Sequence, residues 1–164
     1  MAKLVALFNK IITFESLKIE DAIKQSKFIG GEKKAIINII YTANKIDEIF
    51  SKNLRKFGLS MQQYNTLRIL NGRKYSYATC GEIKDVMLER SPDITRLCDK
   101  LLTKNLIFKT FNPQNKRQVF LSISPEGISL LKIIAPKMNE SILGFSNLHK
   151  DELEQLSNLL DKVS

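Results

Sequence analysis

Apolar residues recur at helical spacing over several stretches of the chain, and each stretch predicts an amphipathic helix. The longest runs from Glu32 to Phe57 without proline or glycine, and Gly58 ends it. At 1.5 Å per residue this helix is about 39 Å long, more than a small monomeric domain needs. Its apolar stripe is wide and must be covered on more than one side, which can happen in two ways. Either it forms a dimer interface, or it is a central helix covered by its own chain.

Two capping boxes mark the starts of shorter helices. In each, a hydroxyl accepts a hydrogen bond from the third helical amide, and a Glu or Gln reaches back to the cap. Ser60 with Gln63 opens a helix that reaches Asn71-Gly72, and Thr79 with Glu82 opens a short one.

A third start signal lies at Ser91-Pro92-Asp93. Here Ser91 is expected to cap the helix and Pro92 to take the first helical position, while Asp93 favours the positive end of the helix dipole. The apolar residues that follow bury one helical face: Ile94, Leu97, Cys98, Leu101 and Leu102.

The period then changes from helix to strand. Residues 106–112 and 118–123 are rich in Ile, Phe and Thr, and Asn-Pro-Gln-Asn-Lys-Arg lies between them at 112–117. That segment has turn chemistry with charge at its tip, so a β-hairpin is predicted.

Both ends of the chain are predicted to be helical. Residues 1–29 form two pieces, the second from about Leu17 to Phe28, before Gly30-Gly31. A helix from Ser124-Pro125-Glu126 runs to about Gly144, with Pro136 expected to kink or break it. The last spans about Lys150 to Val163.

Three helices followed by a two-stranded hairpin form the winged helix-turn-helix arrangement. The predicted fold class is mainly α with a small β-hairpin wing, and with N- and C-terminal dimerisation helices. We divide the chain into an N-terminal helical extension (1–30), a dimerisation helix (31–58), a winged helix-turn-helix DNA-binding domain (59–124) and C-terminal dimerisation helices (125–164).

The charge balance points to a polyanionic partner. Lys and Arg number 26 against 17 Asp and Glu, a formal net charge of +9. Nucleic acid is the first expectation and an anionic membrane surface the second, while a generally basic surface with no such partner is the alternative.

Cysteine and histidine usage narrows the chemistry. Cys80 and Cys98 form no Cys-x-x-Cys pattern, and His149 is the one histidine. An all-Cys/His zinc site needs about four ligands, so such a site within one chain is excluded. No disulfide framework is expected, which suits a reduced cytoplasmic protein. Cys98 is interpreted as a small core hydrophobe. Cys80, at a helix start, is the better candidate for a reactive thiol.

Enzyme motifs are missing from the sequence. It holds no Gly-rich phosphate loop, no Gly-x-Ser-x-Gly and no metal-ligand cluster, so we expect neither catalysis nor a cofactor or metal. The N-terminal apolar run is too short for a secretory signal or a membrane span.

From about Leu59 to Gly127 the sequence resembles the MarR family of multiple antibiotic resistance regulators. Three motifs carry the resemblance: EIKDVM at 82–87, ITRLCDKL at 94–101 and NPQNKRQVFLSISPEG at 112–127. The last is the most specific, with a turn ending in basic residues, a strand, and a Ser/Thr-x-x-Gly helix start. Helices 32–57 and 125–163 match the family's dimerisation helices by pattern only.

The resemblance implies a recognition helix that enters the DNA major groove. Its contact residues would be Ser91, Pro92, Asp93, Thr95, Arg96, Asp99 and Lys100. Arg96 is the best candidate to read a guanine or clamp a phosphate, and the alternative is a solvated surface arginine. Phosphate contacts are expected from Arg90, Lys104 and Lys109.

The wing would contribute Asn115, Lys116, Arg117 and Gln118, with Arg117 in the minor groove. The alternative for the Lys116-Arg117 pair is a solvated hairpin tip. The family usually has Asp at the position of Asn115, which accepts a hydrogen bond without charge assistance. Lys116 replaces the more usual Arg and so loses the planar fork.

The predicted function is a sequence-specific, double-stranded DNA-binding repressor, released by a small-molecule effector. The dimer interface is assigned to Ile36, Ile40, Phe50, Leu153, Leu156 and Leu160. The alternative is a winged-helix module that docks a protein partner. A weaker one makes residues 1–29 an amphipathic helix on a membrane surface.

Overall fold

The computed structural model describes residues 18–25, 28, 30–73, 77–88, 93–112, 115–141 and 147–163. Within these ranges the protein is mainly helical and has one two-stranded antiparallel sheet, which confirms the predicted fold class. In chain order the elements are α1 (Ile19–Ala22), α2 (Gly31–Arg55), α3 (Met61–Gly72), α4 (Cys80–Asp85), α5 (Ile94–Thr103), β1 (Ile107–Asn112), β2 (Asn115–Ile123), α6 (Pro125–Ser141) and α7 (Lys150–Asp161).

Residues 47–138 form one compact unit, and the described residues before 47 and after 138 belong to a second. The first unit has a continuous core in which α2, α3, α5, β2 and α6 each bury a large side chain almost completely. These are Leu54, Leu67, Leu101, Leu121 and Ile134. The helix-turn-helix and the hairpin are therefore anchored to one hydrophobic cluster.

The end of α2 is fixed by Gly58, which adopts a left-handed φ of 66°. The Leu59 amide donates to the Leu54 carbonyl at 3.1 Å, and the Gly58 amide donates to the Arg55 carbonyl at 3.0 Å. This is a Schellman motif, in which a glycine turns the chain and satisfies the last carbonyls. It confirms Gly58 as the stop signal.

Both predicted capping boxes are formed. The Gln63 amide donates to the Ser60 hydroxyl at 3.2 Å, and the Ser60 amide donates to the Gln63 side chain at 3.1 Å. The Glu82 amide donates to the Thr79 hydroxyl at 3.3 Å, and the Thr79 amide donates to the Glu82 carboxylate at 2.7 Å. Helices α3 and α4 therefore begin where the sequence predicts.

The start of α6 is joined to the turn between α5 and β1. The buried Ser124 hydroxyl donates to the Asn105 carbonyl at 2.7 Å and accepts from the Gly127 amide at 2.9 Å. At Gly127 a Cβ atom would lie 2.3 Å from the Leu106 carbonyl oxygen, so the helix can approach this turn only with glycine there.

Strands β1 and β2 pair from Ile107↔Ile123 to Phe111↔Val119, and the chain adds a third short segment beside them. Ala78 forms an isolated bridge with Leu121, with two backbone hydrogen bonds of 2.8 Å. The sequence does not predict this bridge, because a single paired residue leaves no alternating pattern. It ties the start of α4 to the hairpin.

Two helix predictions need correction. Of the kink or break predicted at Pro136, the break is wrong, because α6 continues to Ser141 although proline supplies no amide proton to the preceding turn. The helix predicted over 17–28 is a single turn, because the chain leaves it at Ile23 and Lys24 takes a left-handed φ of 55°. The helical piece predicted before residue 18 lies outside the described residues.

The second unit leaves apolar side chains on its surface. In α2 these include Ile36, Ile39 and Ile40, and α7 buries none of its residues. Lys34 of α2 pairs with Glu20 of α1 at 2.5 Å. None of the helices in the described ranges is long and apolar enough to cross a membrane.

Candidate nucleic-acid interface

Helix α5 has two chemically distinct faces. Ile94, Cys98 and Leu101 follow the helical repeat and are buried in the core of residues 47–138. The opposite face exposes four polar residues named in the sequence analysis: Thr95, Arg96, Asp99 and Lys100. Arg96 and Lys100 are four residues apart, so one turn of helix presents two cations on the same side.

The start of α5 differs from the prediction. The helix begins at Ile94, and Asp93 is its cap, with its carboxylate accepting a hydrogen bond from the Arg96 amide at 3.1 Å. The described helix therefore starts after the cap predicted at Ser91 and the first helical residue predicted at Pro92. Asp is as strong a cap as Ser, and it lies nearer the first buried residue of the stripe. Arg90, Ser91 and Pro92 lie outside the described residues.

The hairpin places the predicted wing residues in a strand. Asn115, Lys116, Arg117 and Gln118 all belong to β2, so the turn is shorter than the predicted 112–117 segment. Asn112 pairs with Asn115, whereas Phe111 pairs with Val119, so residues 116–118 bulge from the ladder. The side chains of Lys116 and Arg117 lie outside the described part of the chain.

A side-chain hydrogen bond closes this bulge. The Asn112 amide donates to the Gln118 amide oxygen at 2.6 Å. Asn112 belongs to β1 and Gln118 to β2, so the bond ties the end of the bulge to the neighbouring strand. The sequence signal that could have found it is the pair of amide residues flanking the basic segment.

The residues predicted to contact phosphate are Lys109, Lys104 and Arg90, and the two that the structure describes do not share one environment. Lys109 is exposed on β1, opposite Leu121 in the ladder. Lys104 follows α5, and its ammonium donates to the Gly58 carbonyl at the end of α2. It therefore neutralises a helix C-terminus, a role that sequence spacing does not reveal. Arg90 is not among the described residues.

A cavity of about 370 Å³ lies between the start of α4, helix α5 and the hairpin. Thr95 and Asp99 line it from α5, Lys109 and Gln118 line it from the strands, and Cys80 lines it from α4. The neighbouring row of α5, with Arg96 and Lys100, does not line this cavity. The polar face of α5 is therefore divided into a row beside the hairpin and a row open to a partner.

Both cysteines also line this cavity, and both are free thiols. Burial, with the neighbouring Cys80 and Asp99, raises the pKa of Cys98 to about 12. This agrees with the interpretation of Cys98 as a core residue. The contact between the two cysteines was not predicted, because they come from different helices.

In the ranges that the structure describes, no three His, Cys, Asp or Glu side chains come together as a metal site.

The chain is similar in sequence and in fold to known transcription regulators. No family profile matches the chain. A MarR transcription factor from Planctomyces limnophilus, solved by crystallography, shares 30% of its sequence with this chain. The two structures superpose with a TM-score of 0.64, and the match covers 82% of this chain and 98% of that one. The Bacillus subtilis HTH-type transcriptional regulator MhqR is 28% identical over 134 residues, 79% of this chain and 89% of its own.

A protein of the same fold has been solved with DNA. A mutant MarR from E. coli, complexed with operator DNA, shares the fold with a TM-score of 0.67 at 22% identity. That match covers 84% of this chain and 99% of that one.

Proposed function

The chain belongs to the MarR family of transcription regulators, and on that premise we propose that it is a homodimeric repressor that binds double-stranded DNA at a pseudo-palindromic operator. It acts in the cytoplasm by binding rather than by catalysis, and a small-molecule effector tunes its affinity. The observation that carries the proposal is the two-faced helix α5, whose buried face is fixed in the core while its outer face presents Arg96 and Lys100.

In this proposal α5 enters the major groove. Its polar outer face can offer Arg96 to a guanine edge, since arginine matches the two acceptors of guanine with a planar fork. Lys100, one turn later, contacts a phosphate and fixes the register without reading sequence. Asp93 is less suited to a base contact, because its carboxylate already caps the helix.

The hairpin serves as the wing. The bulge in β2 carries Lys116 and Arg117 away from the regular ladder, and the Asn112–Gln118 bond holds its end. Arg117 of this bulge enters the minor groove, where a narrow A·T-rich groove attracts a cation. Lys109 adds a phosphate contact from β1.

The dimer is supported by apolar residues that a single chain leaves uncovered. Ile36 and Ile40 of α2 are 56% and 55% exposed and lie on one face, four residues apart. Leu153, Leu156 and Leu160 form a similar row on α7. Rows of this kind are typical of subunit interfaces. Phe50 differs from the others, because it is half-buried against the core of its own chain.

Selection from a pool of random duplexes tests the proposal. We expect enriched sequences to converge on two related half-sites about 10 base pairs apart, as a symmetric dimer requires. Convergence on a single unrepeated site would contradict the dimeric mode, and failure to enrich any sequence would favour a module that docks a protein partner.

A further inference from the structure

Cys80 and Cys98 are the two cysteines of the chain, and the fold brings them together. Cys80 is the first residue of α4, and Cys98 lies in the middle of the buried face of α5. The Cys80 thiol lies near enough to Cys98 to raise the pKa of the Cys98 thiol. Both sulfurs are free, and both side chains line the cavity of about 370 Å³ beside the recognition helix.

The two thiols differ in access. Cys98 is 2% exposed, so it can be reached only from the cavity, while Cys80 is half-buried. The high pKa of Cys98 keeps it a neutral thiol, which is a poor nucleophile on its own. A reagent with two reactive positions that bonds Cys80 first would carry its second position close to Cys98. The effective concentration of that second position at the Cys98 thiol is then high.

A bridging atom makes smaller geometric demands on the two sulfurs than a disulfide does. A disulfide requires the sulfurs to approach to about 2.05 Å with a narrow range of dihedral angles. An atom placed between the sulfurs bonds both with less movement. Thiol ligands select soft centres, and the cavity leaves room for a substituent on such a centre.

We propose that Cys80 and Cys98 form a dithiol site for a trivalent organoarsenical, with one arsenic bonded to both sulfurs and its organic group in the cavity. The hydrated arsenical carries two hydroxyl groups. Two As–O bonds and two S–H bonds break, two As–S bonds form, and each thiol proton leaves with a hydroxide as water. Arsenic stays trivalent, so no oxidant or reductant is needed.

The consequence for DNA rests on the proposed function. The adduct would link α4 to α5, the two helices of the helix-turn-helix, and fill the space that Thr95 and Asp99 share with the hairpin. We expect the adduct to lower operator affinity, because it occupies the space between the recognition helix and the hairpin and limits how these two elements adjust to DNA.

Phenylarsine oxide is the probe, added to the reduced full-length protein and followed by intact mass and thiol titration. We expect one arsenical per chain with the loss of both thiols. An excess of dimercaptopropanol should reverse the adduct, and the same excess of a monothiol should not. These measurements do not involve DNA, so they separate the failure of the site from the failure of the proposed function.

Three variants identify the pair. Cys80→Ser and Cys98→Ala should each lose the monothiol-resistant adduct, and Cys80→Ser leaves the core residue in place if Cys98→Ala does not fold. The matched control is Cys80→Ser with Val86→Cys, which keeps two cysteines but moves one to an exposed position on the loop after α4. It should show no resistant adduct. No adduct on the wild-type protein, or an equally resistant one on Cys80→Ser or on the control, would overturn the proposal.

Discussion

The Asn112 side chain donates a hydrogen bond of 2.6 Å to the Gln118 side chain across the hairpin, at the point where the strand register shifts. The pairing is regular from Ile107 to Phe111 and shifts at Asn112, so this bond spans the irregular part of the ladder that the structure describes. The bulge contains Lys116 and Arg117. The side-chain amides of Asn112 and Gln118 therefore position the segment that we propose to enter the minor groove.

Replacing Asn112 with Ala should therefore weaken DNA binding more than it weakens the fold. The bond is exposed, so its loss should lower the free energy of unfolding by no more than the low end of the usual range of about 0.5–1.5 kcal/mol. Operator affinity should fall by roughly 2- to 10-fold, because ordering the released wing on DNA then costs a free energy of about the size of that whole range. Binding titrations and urea denaturation measure the two effects, with Thr110→Ala on the same strand as the control. Equal affinity of Asn112→Ala and wild type would show that the amide pair does not position the wing.

Gly127→Ala should destabilise the protein. The added Cβ would lie 2.3 Å from the Leu106 carbonyl oxygen and 2.8 Å from the Ile123 side chain, so the start of α6 must shift. Overpacking of this kind costs about 1–3 kcal/mol, measurable as a lower denaturation midpoint. Gly72→Ala is the control, since nothing lies within 4 Å of its added Cβ. Similar midpoints for the two variants would mean that Gly127 is not required by this close contact.

Glu82 should make stability depend on pH. Hydrogen bonds from the backbone amide and hydroxyl of Thr79, followed by the charge of Arg73, hold the pKa of this carboxyl below its ordinary value of 4.5. A lowered folded-state pKa stabilises the protein above pH 4.5, and the contribution is lost as pH falls through the folded pKa.

Glu82→Gln keeps a capping side chain but removes the charge. Between about pH 6 and about pH 3 the wild type should lose more stability than this variant in denaturant titrations. Parallel losses in the two proteins would exclude Glu82 as a source of the pH dependence.

Charge placed on the exposed row of α2 should disrupt the dimer. Ile36→Glu would bury a carboxylate in the proposed interface, where an unpaired charge is strongly unfavourable. Sedimentation or light scattering should show a shift towards monomer. Val86→Glu is the matched control, because Val86 is equally exposed at 56% but lies in the other compact unit. A dimer that survives Ile36→Glu would place the interface elsewhere.

Local signals predicted much of the fold. The capping boxes at Ser60 and Thr79 and the glycine at 58 act through neighbouring backbone groups, so their effects can be read from short stretches of sequence. The buried face of α5 followed from helical periodicity, whereas the polar residues on its other face were named by the family resemblance.

The rest depends on contacts between distant parts of the chain. Lys104 donates to Gly58, and Cys80 reaches Cys98, only because the core sets α2, α4 and α5 beside one another. The start of α5 was misplaced since Ser91 and Asp93 are both strong caps, and the sequence does not decide between them. The turn of the wing was predicted to extend to residue 117, but β2 begins at Asn115. A bulge does not change the pattern of apolar residues, so the sequence does not reveal it.

Binding of a selected duplex across a salt series, for wild type and Arg96→Ala, tests the central claim that the outer face of α5 reads DNA. Lys132→Ala, which removes an exposed cation from α6, is the control. We predict that wild-type affinity falls steeply and linearly on a logarithmic salt scale, as phosphate contacts require. Arg96→Ala should lose preference for the selected sequence by about 1–3 kcal/mol, and Lys132→Ala should retain it. Weak, sequence-independent binding that is indifferent to Arg96→Ala would contradict the account.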